Sequence, residues 1–82
     1  MKIRKREGMD SEGNCALAVG DLITINDDGN KGISIAMIMK VHPEGHNNDK
    51  FGNAHYEIRE SNGRMHNVKP KFPMKIFARA NT

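Results

Sequence analysis

The sequence predicts an all-β domain, with five short hairpin-linked strands curled into a small, closed or nearly closed barrel. Three observations predict it. Aliphatic and β-branched residues alternate with a period of two, turn-forming clusters of Gly, Asn, Asp and Pro separate the alternating runs, and no helical period persists long enough for an amphipathic helix. Five strands in about sixty residues are too few for a sandwich, and closure removes exposed edges.

Residues 1–16, MKIRKREGMDSEGNCA, are charge-dense and interrupted by Gly8 and Gly13, so they read as a flexible basic arm. Ile3 is the one residue placed to anchor an edge strand there. The folded domain is expected over 17–80. In LAVGDLITIND, Leu17, Val19, Ile23 and Ile25 share a strand face interrupted by Asp21, with Thr24 and Asn26 opposite. DDGNKG at 27–32 is a turn, its glycines and Asn30 suited to positive φ.

The second strand is ISIAMIMKV, 33–41. Ile33, Ile35, Met37, Met39 and Val41 face one way, and Ser34, Ala36, Ile38 and Lys40 the other. Both faces are largely apolar at its middle, as a central strand requires. The third strand is AHYEIRE, 54–60, with Ala54, Tyr56 and Ile58 on one face. Asn62-Gly63 then opens a hairpin whose register has two solutions. A two-residue loop puts Met65 on the Tyr56/Ile58 face; a three-residue loop with a glycine bulge puts Val68 there. KPKFP follows, its two prolines suited to a tight turn. The last strand, MKIFAR at 74–79, alternates Met74, Ile76 and Ala78 against Lys75, Phe77 and Arg79.

The run VGDLITINDDGNKGISIAMIMKV, 19–41, resembles the opening hairpin of SH3-like barrels and, more loosely, the KOW motif. The matching residues are Gly20 and Asp21 at the strand start, and Gly29, Lys31 and Gly32 in the turn. The KOW pattern also wants a glycine early in the second strand, where this chain has Ile33, Ser34 and Ile35. The resemblance spans roughly 19–79 and implies an SH3-like barrel that binds RNA, DNA or a protein through strand surfaces and loops; such a fold hosts many functions.

Composition narrows the classes further. Eighty-two residues make one small domain, too short to enclose a substrate cavity without eroding its core. With six Met, no Trp and only four aromatics, the core should be aliphatic, with at least one of Phe72 and Phe77 packed into it. One cysteine excludes an internal disulfide and favours a cytoplasmic protein. MKIRKR has the charge of a leader's first segment, but no apolar stretch follows. The longest apolar run, Ile35–Met39, is far short of the roughly 20 residues that span a bilayer.

The net charge of +3 conceals a segregation: residues 1–6 carry +4, residues 7–60 carry −6, and residues 61–82 carry +5. Two basic ends around an acidic centre favour a polyanion-facing patch.

VHPEGHNNDKFGNAH, 41–55, raises the question of a metal site or a His-Asn-His nuclease remnant. His42, His46, His55, Asp49 and the distant His66 would have to assemble a zinc site without a cysteine pair or a helix to align them. A polar inter-strand loop is the simpler reading, and it is where a partner would find contacts. Cys15 has no neighbouring base to activate it. DDGNKG lacks phosphate-loop spacing.

The strongest candidate is RMHNVKPKFPMKIFAR, whose cations are interleaved with aromatics. The expected activity is non-enzymatic nucleic-acid binding of low specificity, through Lys2, Arg4, Lys5, Arg6, Arg64, Lys69, Lys71, Phe72 and Lys75, with no cofactor or metal. The alternative is a protein-interaction module that binds and modulates a larger host enzyme, as a compact phage-type inhibitor does. A third class, an enzyme assembled as an oligomeric barrel, would need a shared polar cluster.

Overall fold

The computed structural model describes residues 3–27, 32–43 and 54–80. Within them the protein is all-β, without a helix, and no helix is long and apolar enough to cross a membrane. Five strands form one antiparallel sheet: β1 (Leu22–Asp27), β2 (Gly32–His42), β3 (His55–Glu60), β4 (Met65–Val68) and β5 (Lys75–Ala78). Their order is β4-β3-β2-β1-β5, a meander whose last strand returns beside the first. The sheet is not closed. β4 and β5 remain its two edges, so the expected closed barrel gives way to an open sheet.

One face of this sheet holds the core: Ile23, Ile25, Ala36, Ile38, Tyr56, Ile58 and Val68, joined by Leu17 and Met74. Registers explain which residues are inside. Ile38 pairs with Ile58, and Tyr56 with Val68, so these side chains share the concave face. Between Ile38 and Lys40 the β2–β3 register slips, and beyond the slip Val41 pairs with Tyr56. The extra residue reverses the alternation, and Val41 joins the core instead of the Met37 face to which simple alternation assigns it.

The β3–β4 hairpin takes the three-residue solution. Glu60 N–H donates to the Arg64 carbonyl at 2.8 Å, Gly63 N–H donates to the Glu60 carbonyl at 2.9 Å, and Gly63 sits at φ 94°. Val68 is therefore inside and Met65 outside.

Three expectations are corrected. β1 starts at Leu22, because Ala18–Asp21 form a turn with Gly20 at φ 95°, and Val19 points outward, 59% exposed. The Asp21 carboxylate holds that turn by accepting the Ala18 and Ala80 N–H groups, each at 2.9 Å. Second, neither Phe72 nor Phe77 is buried. Phe77 alternates outward from the core-packed Ile76, and a register shift between Leu22 and Ile23 leaves it without a partner on β1, so Tyr56 is the aromatic of the described core.

Third, residues 3–16, read as a flexible arm, lie against the sheet. Met74 N–H donates to the Lys5 carbonyl at 2.7 Å, and Glu7 N–H donates to the Met74 carbonyl at 3.1 Å. The Tyr56 hydroxyl donates to the Gly8 carbonyl and accepts the N–H groups of Ala16 at 2.8 Å and Leu17 at 3.1 Å. Burial pushes Tyr56 up to about 12 despite the N–H groups it accepts. The turn at 27–32 and the loop after Pro43 fall mostly outside the described residues, and with them Gly29, Lys31, His46 and Asp49.

Candidate functional site

The two basic ends of the chain meet. After β4, Lys69–Phe72 form a β-turn with Pro70 at its second position, closed by Phe72 N–H donating to the Lys69 carbonyl at 3.0 Å. Pro70 is buried. The turn leads into Met74, whose backbone pairs in parallel with Arg6. Close packing draws the arm in at Gly8: a Cβ there would stand 2.7 Å from the Met74 sulfur and 3.1 Å from the Pro70 carbonyl oxygen. Only a glycine fits without displacement.

This contact sets Arg6 beside the 69–73 turn, and together they line an open cleft of about 500 Å³ with Arg6, Lys69, Lys71, Phe72 and Asn67 on its walls. Arg6 and Lys71 are exposed, Lys69 is half-buried, and Phe72 presents 36% of its surface. Among the described residues none of these three cations is ion-paired. Three cations beside one aromatic face can hold phosphate oxygens while a planar ring stacks on Phe72.

The remaining candidates are dispersed. Arg4 and Lys5 are exposed on the arm before the cleft, and the Lys5 carbonyl serves as a clasp on Met74. Arg64 does not line the cleft; it stands at the β3–β4 hairpin, its Nε 4.0 Å from Glu60. Lys75 pairs across from Thr24 on the convex face. Lys2 lies outside the described residues. Asn67, which sequence reasoning missed, reaches the cleft because the three-residue hairpin loop turns it outward opposite Glu57. That signal depends on register and is absent from composition.

The three described histidines split into two unrelated arrangements. His42 and His55 stack with ring centroids 4.6 Å apart, and His42 Nε2 contacts Glu57 Oε2 at 2.5 Å. His66 contacts the buried Glu60 through its Nε2, also at 2.5 Å. Among the described residues no group of three His, Cys, Asp or Glu side chains is placed to hold a metal ion. Cys15 is half-buried, and burial pushes its thiol above the ordinary value, with a smaller opposing effect from Tyr56. It is held as the thiol rather than the nucleophilic thiolate at neutral pH.

Burial opposes ionisation of Asp21, yet its carboxyl is held below the ordinary carboxylate range by the Ala18 and Ala80 N–H groups and by Arg79, whose Nε is 3.6 Å away. This pair fastens the end of the chain to the β1 turn and takes Arg79 out of any anion site.

No family model, no curated protein and no solved structure matches this chain.

Proposed function

We infer that the protein is a small, non-enzymatic nucleic-acid-binding module, acting in the cytoplasm, whose ligand lies across the cleft between the arm and the 69–73 turn. The observation that carries this reading is the convergence of Arg6, Lys69 and Lys71 beside exposed Phe72, with none of the three cations ion-paired among the described residues. Phosphate neutralisation supplies most of the affinity, and stacking on a single ring discriminates little between bases, so specificity is low. The returning β5 supports the SH3-like resemblance, here with an open sheet rather than a closed barrel.

The test is fluorescence anisotropy against short labelled RNA and DNA, single- and double-stranded, over a salt series. Binding should weaken steeply with salt. Arg6→Ala and Lys71→Ala should each lower the salt slope by about one ion. Phe72→Ala should cost about 5- to 100-fold in affinity for single strands. Absence of binding at low salt overturns the reading. The second reading, a module that docks on a larger protein, draws on a different part of the surface: the apolar convex face of the sheet.

A further inference from the structure

On the convex face, one row of side chains crosses all five strands: Met65 on β4, Arg59 on β3, Met37 on β2, Leu22 on β1 and Ala78 on β5. Adjacent to it, Ile35 faces Thr24, which faces Lys75. Ile33 and Met39 extend the apolar line along β2, and Phe77, 58% exposed, stands at the β5 edge. At about 4.8 Å between strands, such a row is roughly 19 Å wide. It is a broad apolar platform, and a shallow groove runs along it past Ile35, Met37 and Arg59. A contiguous apolar patch on this scale marks an interaction surface.

Charge decides what kind of partner fits. Lys40, Arg59 and Lys75 belong to this face by register, all are exposed, and none is ion-paired among the described residues. Glu57, opposite Lys40, belongs to this face and is engaged by His42, whereas Glu60 pairs with Ala36 on the core side and is engaged there by His66. The platform is therefore apolar with a surplus of positive charge. Stacking two copies face to face would bring these cations against one another. The flexible thioethers of Met37, Met39 and Met65 suit an apolar polypeptide surface that repacks on contact. A nucleic acid would need aromatic platforms, and among the described residues Phe77 is the single exposed aromatic on this face.

We propose that this face docks a protein partner through an amphipathic segment whose apolar side chains are flanked by aspartates or glutamates. The site is separate from the Arg6–Phe72 cleft, and its occupation does not require the cleft. The segment lays its apolar stripe along the Ile35–Met39 line and sets its carboxylates toward Lys40, Arg59 and Lys75.

The experiment uses the full chain carrying ¹³C-methyl methionine. It is titrated with two designed amphipathic helical peptides that share one leucine stripe, flanked by glutamates in one and by lysines in the other. The expected result is at least tenfold tighter binding of the glutamate peptide, with shifts confined to the Met37, Met39 and Met65 methyls and Met74 unmoved. Arg59→Ala should weaken that peptide several-fold. Met37→Glu should abolish binding while leaving the circular dichroism spectrum unchanged, because Met37 is outside the core.

Equal affinity for both peptides, no binding at millimolar peptide, or shifts at Met74 would overturn the proposal. So would a concentration-dependent dimer abolished by Met37→Glu, or equally tight binding of the chain to vesicles of phosphatidylserine. An Arg6→Ala, Lys71→Ala variant should bind the glutamate peptide as the parent does, which keeps this face distinct from the cleft.

Discussion

The two faces of the sheet are built from nearly the same residue types, and they have opposite fates. On β2, Ile38 is fully buried while its neighbour Met37 is 41% exposed. The concave side carries Ile23, Ile38 and Ile58; the convex side carries Ile33, Ile35 and Met39. Hydrophobicity does not distinguish them. What distinguishes them is cover: residues 5–17 and Met74 close over the concave side, while Ile33, Ile35, Met37 and Met39 on the convex one stay exposed. An apolar strand face becomes core only when another segment reaches it.

The sharpest way to break this comparison is to truncate one residue on each side. Ile38→Ala removes a fully buried side chain and leaves a cavity, and should cost about 2–5 kcal/mol. Met37→Ala, one position away, should change stability by less than about 0.5 kcal/mol. Paired urea denaturation curves read the difference directly. If the two variants lost similar stability, the convex face would be packed against something, and the contrast between the faces would fail.

The next effect tests the cover itself. Tyr56→Phe keeps the ring but leaves the Leu17 N–H and the Gly8 carbonyl without the hydroxyl they share, which should cost about 2 kcal/mol. The Leu17 amide should then exchange with solvent faster than amides in β2. The parent should also show an alkaline loss that the variant lacks. The folded state keeps Tyr56 neutral up to about 12, whereas the unfolded phenol ionises near 10.0. Stability from this group is therefore complete below 10.0 and is lost as pH rises towards 12.

How legible was this in the sequence? The five strands were, with the turns at Asn62-Gly63 and Pro70, because period-two alternation and the Gly, Asn and Pro clusters are local signals. Sheet closure was not, since it depends on whether β4 and β5 meet. Val41 and Ala78 were assigned to faces by strict alternation, and a single extra residue in each register reversed the outcome. The arm was misread for a similar reason. Its charge density suggests a solvated tail, but what holds it is mainly backbone: carbonyls of Lys5 and Gly8, and the N–H groups of Glu7, Ala16 and Leu17, with the Glu7 carboxylate accepting the Ile76 N–H at 2.6 Å. Side-chain composition carries no trace of backbone pairing. In the cleft, the cations and Phe72 were visible as residue types; that Arg6 rather than Arg64 joins Lys69 and Lys71 follows only from the fold.

The smallest expected effect concerns the loop that decides which residue of β4 lies inside. Gly63 adopts φ 94°, and no atom beyond its own chain neighbours lies within 4 Å of where its Cβ would be, so a substitution there meets backbone strain and no collision. Gly63→Ala should cost about 1 kcal/mol, and Gly63→Asn less, because asparagine tolerates the left-handed region. The informative quantity is the pair Met65 and Val68. With the three-residue loop, Val68 packs beside Tyr56 and Met65 stays in solvent. A chain that escaped the strain through a two-residue loop at Asn62-Gly63 would exchange them, drawing Met65 inward and pushing Val68 out. Methyl contacts from the Tyr56 ring report which is present. Contacts to Val68 in both parent and variant mean the buried pairing outweighs the strained turn; contacts to Met65 in the variant mean the glycine alone sets the register and, through it, the composition of the two faces.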